Sequence, residues 1–201
     1  EGSSSDPGKT AASTATPLPT DTPAPTPTPR QSRSEVEVYI AFLGLSENSD
    51  ACADIMRSKG FNPCFFIETD DLRQYPDVVR KLNGIGCGIG LLFKEDPEKE
   101  YEEFSELLRE SVREVTFLLA SASPLSPETA KKVQESGLIL WCAQEPDIDI
   151  NQLIMNLDTT ENRYDLILGS NVSVNRVTRL ANYLRSESFA VKEITELTET
   201  A

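Results

Sequence analysis

From residue 35 onward, short apolar runs alternate with stretches of helical periodicity. The runs at 36–43, 63–67, 85–93, 115–120, 138–143, 165–169 and 190–194 are predicted strands. Between them, apolar spacing and capping residues predict helices over 49–59, 71–82, 97–113, 127–136, 150–157 and 173–186. Two starts are well marked. Asp96-Pro97 and Ser126-Pro127 each place a capping side chain before a proline in the first helical turn. Strands that are apolar nearly throughout, each followed by a helix, describe a parallel sheet covered by helices. Seven such strands suit an incomplete (β/α)7 barrel or an open doubly wound sheet. In both, ligands sit beyond the carboxyl ends of the strands, which is where chemistry is to be sought.

Residues 1–34 lack this pattern. They hold seven of the thirteen prolines, among Ser, Thr and Ala, and Leu18 is their one large apolar side chain. Such a segment buries too little surface to offset its ordering entropy, so an extended, disordered Pro/Thr-rich linker is expected. The chain thus divides into a linker, 1–34, and a folded domain, 35–201. Pro/Thr stalks of this kind hold extracellular modules away from a surface, and an intracellular interdomain linker has the same composition. The chain opens on Glu1 rather than Met, which reads as a fragment whose targeting segment has been removed.

Composition then narrows the chemistry. There is no histidine, so no Ser-His-Asp or Cys-His arrangement exists and no imidazole can hold zinc. Acid and base roles fall to carboxylates, lysine, tyrosine or a perturbed cysteine. The charges of the first 34 residues cancel, so the net charge of -14 belongs to the domain. That balance argues against nucleic acid and against an anionic lipid surface. No apolar run approaches the ~18 residues that would cross a bilayer, so membrane insertion by this segment is not expected.

Several runs form one pattern: Cys64-Phe65-Phe66-Ile67, Gly86-Cys87-Gly88-Ile89-Gly90, Leu138 to Cys142 with its Trp141, Tyr164 to Ser170, and the closing Leu180 to Leu184 and Ile194 to Leu197. Through these runs, in this order and spacing, the domain resembles the NodB-homology domain of polysaccharide deacetylases, carbohydrate esterase family four. The resemblance implies a deformed, incomplete (β/α)7 barrel. It also implies where a metal-dependent deacetylase would carry its machinery. The catalytic base falls at Leu43 and the metal-binding aspartate at Gly44. The two metal-binding histidines fall at Leu92 and Asp96, and the late histidine that acts as general acid falls at Gly169, or at Ser170 if the register slips by one. The arginine that orients the base has no counterpart between Ala120 and Pro124. A catalytic zinc needs three protein ligands and an open position, and Asp96 is the one ligand left. A degenerate member without metal or cofactor, unable to deacetylate, is the expectation. The competing expectation is an active, divergent deacetylase with relocated ligands.

Two further groups could have built a new site. Cys52, Cys64, Cys87 and Cys142 have no Cys-x-x-Cys spacing, so they read as small apolar residues in the barrel, with a Cys64–Cys87 disulfide as the alternative. Carboxylates follow the strands: Glu68, Asp70 and Asp71, then Glu95 and Asp96, then Glu145, Asp147 and Asp149. Calcium binding fits them, as does hydrogen bonding to a glycan beside Trp141 and Tyr75. So does helix capping, where Asp and Glu favour the macrodipole. The candidate ligand-binding residues are therefore Trp141, Tyr75, Asp70, Glu95, Asp96 and Glu145. The reading as a whole is an exported domain at a bacterial surface, tethered through a segment upstream of residue 1. Its expected partner is a glycan, a cell-wall polymer or a protein. An exposed aromatic platform beside the cleft would favour a glycan reader. A cleft filled by Leu43, Leu92 and their neighbours would favour a scaffold.

Overall fold

The computed structural model describes Gly2 and residues 32–147, 149–157 and 161–198. The predicted linker therefore lies outside the described residues except for Gly2 and residues 32–34. The elements run β1 (Glu37–Leu43), α1 (Ser49–Ser58), β2 (Cys64–Ile67), α2 (Thr69–Gln74), α3 (Pro76–Gly84), β3 (Gly88–Leu92) and α4 (Pro97–Val112). They continue as β4 (Leu118–Ser121), α5 (Pro127–Ser136), β5 (Ile139–Ala143), α6 (Ile150–Asn156), β6 (Arg163–Gly169), α7 (Val174–Ser186) and β7 (Ala190–Lys192).

The predicted strand boundaries hold within three residues, and the largest departures among the elements have local causes. The single helix expected over 71–82 is two helices. Pro76 has no N–H to continue the ladder and its ring excludes a helical residue before it, so Tyr75 leaves the helical region at φ -125° and ψ 48°. The third strand begins at Gly88 rather than 85. The Ile85, Gly86 and Cys87 amides instead close α3 on the carbonyls of Lys81, Asn83 and Leu82, with Gly86 at φ 81°. The last strand stops at Lys192, and the chain then turns Ile194 inward.

All the strand pairs are parallel, in the order β5-β4-β3-β2-β1-β6, with β7 also on β1. β6 covers one edge of β1 along its length. β2 takes Ala41–Leu43 of the other edge and β7 takes Glu37–Tyr39, so β1 and β2 splay apart towards the amino ends. The outer strands β5 and β6 meet at one bridge beyond β5, between Asp147 and Leu168. The result is the incomplete barrel that the sequence predicts.

Alternation along the strands divides the interior in two. Val38, Ile40, Phe42, Phe65, Ile67, Ile89, Leu91, Leu119, Leu166 and Leu168 face the helices. Ala41, Leu43, Cys64, Phe66, Leu92, Leu118, Ala120, Trp141 and Ile167 face the lumen, which Ile194 plugs near the amino ends. Phe66 sets the packing of that lumen. Its ring lies where a Cβ on Gly90 would sit, 2.5 Å away, and stacks on Trp141 at 5.6 Å and 14°. Glycine is required at 90 by this close approach, not by its backbone angle.

Gly90→Ala is expected to cost about 1–3 kcal/mol, because neither the Phe66 ring nor the Leu118 carbonyl can withdraw. Gly84→Ala, at the open end of α3, should gain up to about 1 kcal/mol. Urea midpoints of the two variants measure the contrast.

Candidate functional site

In a barrel of this kind the working mouth lies at the carboxyl ends of the strands. Leu43 and Leu92, the positions that the resemblance gives to the base and a metal ligand, end β1 and β3. They are 4% and 6% exposed and pack in the same apolar cluster as Phe66, Ala120 and Trp141. Gly44 turns the chain at φ 83°. Its amide donates to the Phe66 carbonyl at 2.7 Å, and a Cβ there would touch Ser170 at 3.3 Å. At Gly169 the space for a side chain is filled by the Asn171 Oδ1, 3.1 Å from where a Cβ would lie, and by Pro146. Asp96 caps α4, its Oδ1 accepting from the Lys99 amide at 3.3 Å. One carboxylate held on a helix end, among leucines and glycines, is not the donor set of a catalytic zinc. Among the described residues, no three His, Cys, Asp or Glu side chains converge as metal ligands do.

Several of the other carboxylates bind amides. Asp71 Oδ2 accepts from Leu45 N–H at 3.2 Å and Glu68 N–H at 3.0 Å, tying the loop after β1 to the start of α2. Glu100 of α4 collects the amides of Lys94, Glu95 and Asp96 at 2.9–3.2 Å. Asp149 caps α6 through Asn151 N–H at 2.8 Å. Asp70 pairs with Arg73 at 2.9 Å, and Lys94 with Glu68 at 2.6 Å. Both pairs are exposed and contribute little to stability. Glu95 and Glu145 are exposed at the rim. Tyr75 sits at the α2–α3 break, packed against the outer layer, with its hydroxyl accepting from Gln74 at 3.0 Å.

Trp141 is not a platform. It is 4% exposed inside the lumen, and its Nε1–H has no partner there. The cysteines also lack a site. All four are free thiols, and Cys64 faces the lumen opposite Gly88 while Cys87 faces the helices, so the pair does not meet. Burial pushes Cys52 up to about 11 and Cys87 and Cys142 up to about 12, which leaves no thiolate at neutral pH.

Asp147 is the residue whose role the sequence does not signal. Its N–H donates to the Ile167 carbonyl at 2.6 Å and its carboxylate accepts from the Ile167 amide at 3.2 Å. These two bonds join the ends of the open sheet. Desolvation holds the Asp147 carboxyl above the usual carboxylate range, outweighing the Ile167 bond. Exposed Arg176 lines the same small hollow, together with Gly169 and Asn171.

No protein-family model matches the sequence, and no curated protein matches it. Solved structures do. The polysaccharide deacetylase Bc1974 from Bacillus cereus superposes with a TM-score of 0.68 at 15% identity, over 82% of this chain and 94% of its own. The Bc1960 peptidoglycan N-acetylglucosamine deacetylase gives 0.69 at 13%, over 86% and 91%. PdaA of Bacillus subtilis, a family 4 carbohydrate esterase, gives 0.65 at 13%, over 82% and 80%. The chain therefore has the fold of the NodB-type polysaccharide deacetylases, as the sequence motifs imply.

Two variants test the packing and the clasp at this mouth. Trp141→Ala should cost about 3–5 kcal/mol in urea unfolding, as for a buried ring, where loss of an exposed platform would cost almost nothing. Asp147→Asn keeps an acceptor for the Ile167 amide and removes the charge. Because the folded carboxyl titrates above its unfolded value, its favourable contribution is present at low pH and is lost as pH rises through the window above about 4. The variant should thus be at least as stable as the parent at pH 7, with the advantage gone in unfolding curves taken below that window.

Proposed function

We propose that residues 35–201 form a catalytically inactive, polysaccharide deacetylase-like domain, which acts by holding a protein partner rather than by hydrolysis. The observation that carries this reading is the filled mouth. Leu43, Phe66, Leu92 and Trp141 pack as hydrocarbon where a deacetylase of this fold would need charged ligands and a water. A metal-bound water acidified to neutral range and a paired acid and base supply most of the rate in such chemistry. Here the matching positions offer two leucines, two glycines and a helix-capping aspartate.

A glycan reader would keep exposed aromatic rings beside the mouth. Trp141 is buried and Tyr75 packs against the helical layer, which favours the scaffold reading. The structural neighbours named as peptidoglycan deacetylases support export to a bacterial surface, with segment 1–34 as the stalk. No described helix is long and apolar enough to cross a membrane.

Purified chain incubated with N-acetylated chitin oligomers and zinc, cobalt or manganese is expected to release no acetate above the blank. Release that depends on the protein would restore the divergent-enzyme reading. In co-sedimentation with insoluble peptidoglycan or chitin the chain should stay in the supernatant. Saturable, metal-independent pelleting would instead make it a glycan reader.

A further inference from the structure

The mouth at the amino ends of the strands differs from the packed carboxyl mouth. Four large apolar side chains are exposed among the described residues, and three of them, Val115, Phe117 and Leu197, gather here. The segment 114–118 that leads into β4 runs between two hollows. One, of about 460 Å³, lies between α4 and the end of α5, with Tyr101, Phe117 and Leu138 as its apolar lining. The other, of about 540 Å³, reaches under the barrel past Val115 and Leu197. Tyr101 and Phe117 stack at 6.2 Å, and Phe117 and Val115 remain 43% and 47% exposed.

The charged side chains that line these hollows are carboxylates, with Arg57 and Arg109 nearby but outside the lining. Glu98 and Glu102 line the first, and Glu114, Glu193 and Glu196 line the second, while among the described residues neither is lined by any Lys or Arg. Glu196 is held in place by the Phe117 amide, which donates to its Oε1 at 3.2 Å. Its charge also raises the Tyr101 hydroxyl, after burial, with Arg109 opposing. Paired aromatic faces beside unneutralised carboxylates attract guanidinium and ammonium groups, and the apolar floor accepts aliphatic or aromatic anchors.

We infer that this face docks a basic polypeptide segment of a partner protein, one that interleaves Arg or Lys with apolar residues. Its apolar anchors enter the two hollows and its cations meet Glu98, Glu102, Glu114 and Glu196. The inference rests on the reading of the domain as a partner-binding module. Acetate release bears on that reading alone, and peptide binding bears on this one.

The test is fluorescence anisotropy on the full chain at about 150 mM salt, where the Debye length is about 8 Å and loose attraction is screened. The probes are a labelled peptide alternating Arg with Leu and Trp, and an Arg/Gly peptide of equal charge. The first should bind at least about tenfold more tightly, or about 1.4 kcal/mol. Val115→Ser with Phe117→Ser should bring it down to the Arg/Gly level. Glu98→Gln with Glu102→Gln should weaken both peptides and flatten the salt dependence. Far-ultraviolet circular dichroism and thermal midpoints confirm that these exposed substitutions leave the fold intact. Equal binding of the two peptides, or no binding of either, overturns the inference. So does a concentration-dependent dimer that the serine variant abolishes, because it would assign the face to a second copy of the chain.

Discussion

The lumen of a parallel barrel has to be filled by whatever side chains alternate inward, and here one ring governs how. Phe66 reaches across the barrel to Trp141 and lies flat over Gly90, in space that a β-carbon would occupy. Around that stack, Ala41, Leu43, Leu92, Leu118, Ala120 and Ile167 complete a dry interior, and Ile194 seals it from the other end. Burying a charged ligand set in such surroundings would cost several kcal/mol per uncompensated ion. Among the described residues, the apolar filling of the mouth and the lack of a converging set of metal-ligating side chains are one property.

The acidic character of the strand-end loops follows from a different demand. Loops that leave a sheet and enter a helix present amides without intrahelical partners. Asp71, Asp96, Glu100 and Asp149 supply acceptors for them, and Asp147 supplies one across the gap between β5 and β6. Each of these carboxylates is committed locally, Asp71 at α2, Asp96 and Glu100 at α4, Asp149 at α6 and Asp147 after β5. A row of acids that looks like a metal site in one dimension is a set of independent caps in three.

The two mouths of the barrel are therefore unlike. At the carboxyl mouth hydrocarbon is turned inward, and Asp71, Asp96, Glu100, Asp147 and Asp149 are occupied with backbone amides. At the amino mouth, Val115 and Phe117 stand in solvent beside Glu114 and Glu196, and Phe117 also borders the hollow between α4 and α5 that Glu98 and Glu102 line. In folds of this kind the amino face ordinarily serves stability. Phe117 and Val115 leave nearly half of their surface in water there, beyond what the stack on Tyr101 covers, which is why that face carries the partner-binding inference.

The strand–helix alternation, the boundaries marked by Asp96-Pro97 and Ser126-Pro127, and the absence of any imidazole chemistry were legible in the amino-acid order. They depend on local periodicity, local capping and composition. The motifs around Phe66, Gly90 and Trp141 also carried the fold family. The tertiary structure alone decided that Trp141 points into the lumen and not towards a ligand, that Cys64 and Cys87 lie on opposite faces, and that Asp147 clasps the sheet. It alone placed Val115, Phe117 and Leu197 at one mouth. Such facts follow from the register between strands that are distant in the chain, and a one-residue change in register would turn every side chain to the other face.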